Sequence, residues 1–110
     1  MKVAITAKGA GLGAWLDPAF EHALQIVIVD DDDRFSAFAP EAAGTGKPAS
    51  AQATQRLIDE GVTLLVTGSI PAHDYNALRE AGIRVLQAEG GSVLEILERA
   101  RAGTLPELVL

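Results

Sequence analysis

The sequence predicts an α/β domain: a mixed five-stranded sheet flanked by helices, in the order β-β-β-α-β-α-β-α. Three observations point to it. The first half holds short apolar runs, among them Leu24-Gln25-Ile26-Val27-Ile28-Val29-Asp30, whose β-branched content suits a buried central strand. The second half alternates helix-like and strand-like stretches, and Gly61, Gly82 and Gly103 close the helix-like ones. The length of 110 residues fits a single domain over 1–110.

Each element follows from its local pattern. Lys2–Thr6 opens as the first strand, with Val3 and Ile5 on one face. Leu24–Asp30 is the second strand, Asp31-Asp32-Asp33 a turn, and Arg34–Ala39 a returning third strand. The aspartate run is not read as a calcium loop, because the spaced oxygen ligands, the glycine and the distal glutamate of such loops are missing. A small-residue loop runs from Pro40 to Pro48. Helix one is expected over Ala49–Glu60, with Ala49, Ala53 and Leu57 in one stripe. Val62–Val66 is the fourth strand, Gly68-Ser69-Ile70-Pro71 a turn, Ala72–Ala81 helix two, and Ile83–Leu86 the fifth strand. Ser92 and Glu95 form a capping box that starts helix three, and Arg99 and Arg101 suit the negative end of its dipole. The apolar tail from Leu105 to Leu110 either folds back on the domain or docks on a partner.

Right-handed crossovers make strands one, four and five parallel, with strand two antiparallel to them and strand three parallel again. That is the order of a ribonuclease H-like sheet. The loops 8–23 and 40–48, Thr67–Pro71 and Ala88–Ser92 then share the carboxyl edge, where open α/β sheets bind ligands. Asp31–Asp33 falls at the opposite edge. The 8–23 loop is the most informative segment, since long ordered connections tend to be functional. It carries Gly9, Gly11 and Gly13, one of the two histidines, and the single tryptophan, Trp15, which is expected to anchor the loop in the core.

Composition excludes several classes. A net charge of -6 argues against nucleic-acid binding, which wants a basic face. The absence of cysteine removes disulfides, thiol nucleophiles and thiolate-held metal clusters. The first residues lack a signal-peptide pattern, and no apolar run approaches the ~20 residues of a spanning helix, so a cytoplasmic chain without a membrane partner is expected. Strand one carries no carboxylate for two-metal nuclease chemistry. Ser69 has no histidine–acid pair dictated by sequence, so acyl transfer is unsupported and no enzymatic activity is expected.

Several segments together carry a family likeness. They are Lys2-Val3-Ala4-Ile5, Pro18-Ala19-Phe20-Glu21-His22-Ala23, Ile26–Asp30, Val66-Thr67-Gly68-Ser69-Ile70, Ala77–Val85, and Gly90-Gly91-Ser92-Val93. From Lys2 to Gly103 the chain resembles the dinitrogenase iron–molybdenum cofactor biosynthesis family, the NifX/NafY-type domain also found at the end of NifB. The resemblance implies a ribonuclease H-like fold. It also implies a non-enzymatic role in nitrogen fixation: binding an iron–sulfur or iron–molybdenum cluster, or its precursor, and passing it between a donor and an acceptor protein. The family's loop commonly ends His-Phe-Gly-Arg-Ala, whereas this chain has Ala19-Phe20-Glu21-His22-Ala23. The usual histidine is Ala19, and His22 offers an imidazole three positions on.

The expected cofactor-binding residues are Lys8, Gly9, Gly11, Phe20, His22, Thr67, Gly68, Ser69, Gly90, Gly91 and Ser92. His22 and His73 are the candidate metal ligands, and backbone N–H groups at helix starts are expected to hold anionic oxygen or sulfide. Each histidine also has a plainer reading as a surface residue. Gly44-Thr45-Gly46-Lys47 resembles part of a phosphate loop, but Pro48 breaks the pattern. Gly9, Gly11 and Gly13 do not make a dinucleotide fingerprint, because no helix follows them in a βαβ unit. Two alternatives stand beside the carrier. One is a cluster-free adaptor whose Leu108–Leu110 mediates self-association or partner docking; the other is a binder of small phosphate-bearing metabolites using Gly44–Lys47.

Overall fold

The computed structural model describes residues 1–40 and 49–110. The elements are β1 (Val3–Ala7), β2 (Gln25–Val29), β3 (Phe35–Phe38), α1 (Ala49–Asp59), β4 (Leu64–Thr67), α2 (Ala72–Glu80), β5 (Arg84–Gln87) and α3 (Val93–Ala102), with a single 3₁₀ turn at Phe20–His22. All eight predicted elements form, with boundaries moved by one or two residues. The sheet order is β3-β2-β1-β4-β5. β1 pairs antiparallel with β2 and parallel with β4, β2 pairs antiparallel with β3, and β4 pairs parallel with β5. The α/β class and the mixed five-stranded sheet are therefore as predicted. The Gly44–Lys47 segment lies outside the described residues.

Strand alternation divides the interior into two cores. Val3, Ile5, Val27, Val29, Leu64, Val66 and Leu86 face α3, meeting Ile96, Leu97 and Ala100. Ala4, Ile26, Ile28, Leu65 and Val85 face the other way, onto Ala53 and Leu57 of α1 and Leu78 of α2. Helices on both faces explain why β1 is buried at all five positions, and not on the Val3–Ile5 face alone.

The tail folds back. Leu105 joins the α3-side core and Leu108 the other. Gln87 N donates to Pro106 O at 2.8 Å, Leu108 N to Val85 O at 2.9 Å, and Glu107 forms a bridge with Leu86. The tail thus runs antiparallel along the outer edge of β5, and Arg84 Nε fixes it through Glu107 at 2.8 Å. Of its large hydrophobic side chains Val109 and Leu110 stay exposed.

At the far edge, Asp30 Oδ1 accepts from the N–H groups of Asp32 and Arg34, closing the β2–β3 turn. Asp33 pairs with Arg101 at 2.8 Å. Asp31 accepts from the terminal amine of Met1, and that hydrogen bond, reinforced by the amine's charge, holds its carboxyl below the usual range.

Candidate functional site

The long loop after β1 forms a second tier of pairing across the carboxyl edge. Ala7 bridges to Leu16 and Trp15 to Ser92, both antiparallel, while Ala19 bridges to Ser69 in parallel. Lys8 N donates to Trp15 O at 2.9 Å, Leu16 N to Gly91 O at 2.9 Å, Phe20 N to Ser69 O at 3.0 Å, and Ser69 N to Pro18 O at 2.7 Å. Loop 8–20, the β4 turn and the turn before α3 are therefore stapled into one strip. This strip brings together Lys8, Gly9, Gly11, Thr67, Gly68, Ser69, Gly90, Gly91 and Ser92, as the topology predicted.

Buried hydroxyls set the strip on the sheet. Thr6 and Thr67 are fully buried at the ends of adjacent parallel strands. Thr6 Oγ1 donates to Asp17 O at 2.7 Å and lies 3.0 Å from Thr67 Oγ1. Asp17 N in turn donates to Thr6 O at 3.0 Å. Two glycines are required by geometry. A Cβ on Gly68 would stand 2.7 Å from Pro18 O, so only glycine lets the loop come this close. Gly91 sits at φ 110°, a conformation that L side chains rarely adopt.

Other expected residues are placed differently. Phe20 and Thr67 are fully buried, so they shape the strip from beneath. Trp15 is 54% exposed, which corrects its expected place in the core. Neighbours in an extended segment point to opposite faces, and Leu16 takes the inward position at 1% exposure. Glu21 stands where the family carries glycine, and its Oε2 is buried without a hydrogen-bond partner. His22 is exposed at the end of the 3₁₀ turn. Lys8 is exposed and makes no ion pair among the described residues.

The expectation that helix-start N–H groups hold an anion is corrected for α3. Val93 N donates to Ala14 O at 2.8 Å, Leu94 N to Leu12 O at 2.9 Å, Glu95 N to Ser92 Oγ at 3.2 Å and Ile96 N to Ser92 O at 3.0 Å. The loop's own carbonyls and the capping serine use the whole first turn. At α2 the chain supplies its own anion. Asp74, 2% exposed in the first turn, accepts from Thr54 Oγ1 at 3.3 Å and lies 3.3 Å from His73 Nε2. Its Oδ2 has no partner, since the N-cap is Pro71, which lacks the N–H that a first-turn acid ordinarily reaches. In the strip the N–H groups of Trp15, Gly90, Gly91 and Ser92 meet no acceptor among the described residues.

His73 lines a groove of about 800 Å³ between α1 and α2, together with Thr54, Asp59 and Asp74. None of the strip residues lines that groove. Among the described residues no three His, Asp or Glu side chains are grouped to hold a metal ion.

The fold and the strip define a small α/β module with a backbone-stapled strip across the carboxyl edge of its sheet. The chain belongs to the dinitrogenase iron-molybdenum cofactor family, which matches residues 1–103. It is a protein of the iron–molybdenum cofactor biosynthesis type, NifX- and NifB-like. Among solved structures it is similar to the apo form of the orange protein from Desulfovibrio gigas, with 32% identity, TM-score 0.86, and coverage of 98% of this chain and 92% of that one. It is also similar to a candidate NifB protein from Thermotoga, with 27% identity, TM-score 0.81, and coverage of 99% and 94%. A candidate dinitrogenase from Methanocaldococcus jannaschii shares the fold at 21% identity and TM-score 0.70, over 98% of this chain and 94% of that one. No curated protein matches the chain. No described helix is long and apolar enough to cross a membrane.

Proposed function

We propose that the chain is a non-enzymatic carrier that holds an iron–sulfur or iron–molybdenum cluster, or its precursor, and passes it from a donor protein to an acceptor. The observation that carries the reading is the strip itself. Three segments separated in sequence are locked together by main-chain hydrogen bonds, and several N–H groups of the strip are left without an acceptor among the described residues. Such groups hold anions without a covalent bond. Lys8 and His22 add cationic and donor character beside it, and Ser69 adds a hydroxyl. With no cysteine in the chain, the cargo is held by hydrogen bonds, packing and at most single imidazoles. Weak multipoint holding suits a molecule that must release what it binds. In this reading His22 is the leading metal ligand at the strip, while His73, which lines the separate groove between α1 and α2, would ligate there and not at the strip.

The test is anaerobic titration with a preformed iron–sulfur cluster, followed by gel filtration read at visible wavelengths. The expected result is co-elution near one cluster per chain, lost in the His22→Ala/His73→Ala double variant. Retention unchanged in the double variant removes both histidines from the site. No retained colour on a folded chain removes the carrier reading.

One observation favours the adaptor alternative: Val109 and Leu110 are 81% and 64% exposed. In that reading these two residues form the contact for a second copy or a partner. A chain ending at Leu108 that keeps its oligomeric state and its partners would count against it.

A further inference from the structure

The groove between α1 and α2 holds a carboxylate that the fold leaves half-used. Asp74 lines the groove and is 2% exposed. Thr54 Oγ1 donates to its Oδ1 at 3.3 Å, and His73 Nε2 lies 3.3 Å from the same oxygen. Oδ2 has no hydrogen-bond partner among the described residues. Buried charges are ordinarily paired, because taking them out of water alone is costly. The start of α2 does not supply the missing bond, since its N-cap is Pro71. His73 is no fixed partner either. Its side chain is 70% exposed, and exposed side chains change rotamer within nanoseconds.

The rest of the groove defines what would complete that carboxylate. Ala51, Ile58 and Ala77 give it aliphatic walls, and Asp59 adds a second acid. Arg56 also lines it but is engaged elsewhere. Its Nε donates to Glu60 Oε2 at 2.8 Å, and its guanidinium stands 4.1 Å from the centre of the Phe38 ring. The groove is therefore left with a negative field. A bare metal ion finds no group of three His, Asp or Glu side chains to hold it among the described residues. An ammonium group on a carbon body has donors for Oδ2 and apolar surface for the walls, and a charge-assisted hydrogen bond is strong where water is scarce. The volume of about 800 Å³ suits a small molecule, and such sites pair apolar walls with a few placed polar groups. We propose that the α1–α2 groove is a second ligand site, for a small organic cation whose ammonium head is held by Asp74 Oδ2. It is separate from the strip and does not depend on the carrier reading.

Phenylbutylamine, phenylbutanol and phenylbutyrate make a matched set of probes, with one apolar body and a positive, neutral or negative head. Each is titrated into the ¹⁵N-labelled full chain and followed by amide resonances. The amine is expected to bind and to move resonances of α1 and α2 and leave those of the strip in place. The alcohol should bind about tenfold more weakly, and the acid not measurably. Asp74→Asn keeps the shape and should weaken the amine about tenfold, bringing it level with the alcohol. Ala77→Leu leaves the carboxylate and fills the groove, so it should weaken amine and alcohol alike. Circular dichroism shows whether each variant is folded. If Asp74→Asn is not, the amine-to-alcohol ratio of the wild type and Ala77→Leu carry the test.

Equal affinity of the wild type for amine and alcohol overturns the role of the Asp74 charge. Amine affinity unchanged in both folded variants, or shifts confined to the strip, overturns the site. Acetyl-lysine amide binding more tightly than phenylbutylamine would point to a protein side chain as the occupant and overturn the small-molecule assignment.

Discussion

The α-carbon of Gly68 lies so close to Pro18 that a Cβ there would stand 2.7 Å from the Pro18 carbonyl oxygen and 3.1 Å from its Cα. Both obstacles are backbone, so neither yields by rotating a side chain. The contact joins the turn after β4 to the loop after β1, and Ser69 N closes it with a 2.7 Å hydrogen bond.

Gly68→Ala should therefore destabilise the fold by about 1–3 kcal/mol, the usual range for overpacking. It should also loosen the strip, seen as faster amide exchange at Ser69 and Phe20. A denaturation midpoint equal to the wild type would show that the loop does not pack as described.

Thr67→Val keeps the shape and removes the hydroxyl 3.0 Å from Thr6 Oγ1. The loss should be about 1–2 kcal/mol, read from urea unfolding, because both groups are fully buried. Thr67→Ser should recover most of it. A neutral Thr67→Val would mean that Thr6 is satisfied by Asp17 O alone.

Glu21→Gln removes a charge whose Oε2 is buried without a partner. The variant should gain up to about 1 kcal/mol in stability. It should also retain an anionic cluster more strongly, since a negative charge leaves the loop. A lower melting temperature would reveal a partner for that oxygen.

Leu108→Ala should lower stability by about 2–5 kcal/mol, as for other buried leucines. Removing Val109 and Leu110 should change it by less than about 0.5 kcal/mol, because both are exposed. Reversal of that ranking, measured by thermal unfolding, would show that the tail is not seated on β5.

The fold was legible because its signals are local. Ser92 caps Glu95 N at 3.2 Å as the capping box requires, and the β-branched run from Ile26 to Val29 is buried throughout. The carboxyl-edge strip was legible one level up, since topology alone places its loops together. Trp15 was not. Its outward orientation comes from a two-residue alternation in a bridge to Ser92, and Gly9, Gly11 and Gly13 leave no side-chain pattern to reveal it. Nor was it visible that Leu12 and Ala14 carbonyls take the first donors of α3. Such pairings join residues some eighty positions apart, and no periodicity encodes them. Nothing in the sequence marks Asp74, and only its packing against Thr54 shows it to be buried.

The tail on β5 has a consequence for growth. Sheets extend from chain to chain through unpaired edges. With residues 105–108 paired along β5, that strand is no longer a bare edge, and among the described residues the regular strand left at an edge of the sheet is β3. A second copy approaching edge to edge would meet β3 or the short tail, and not β5.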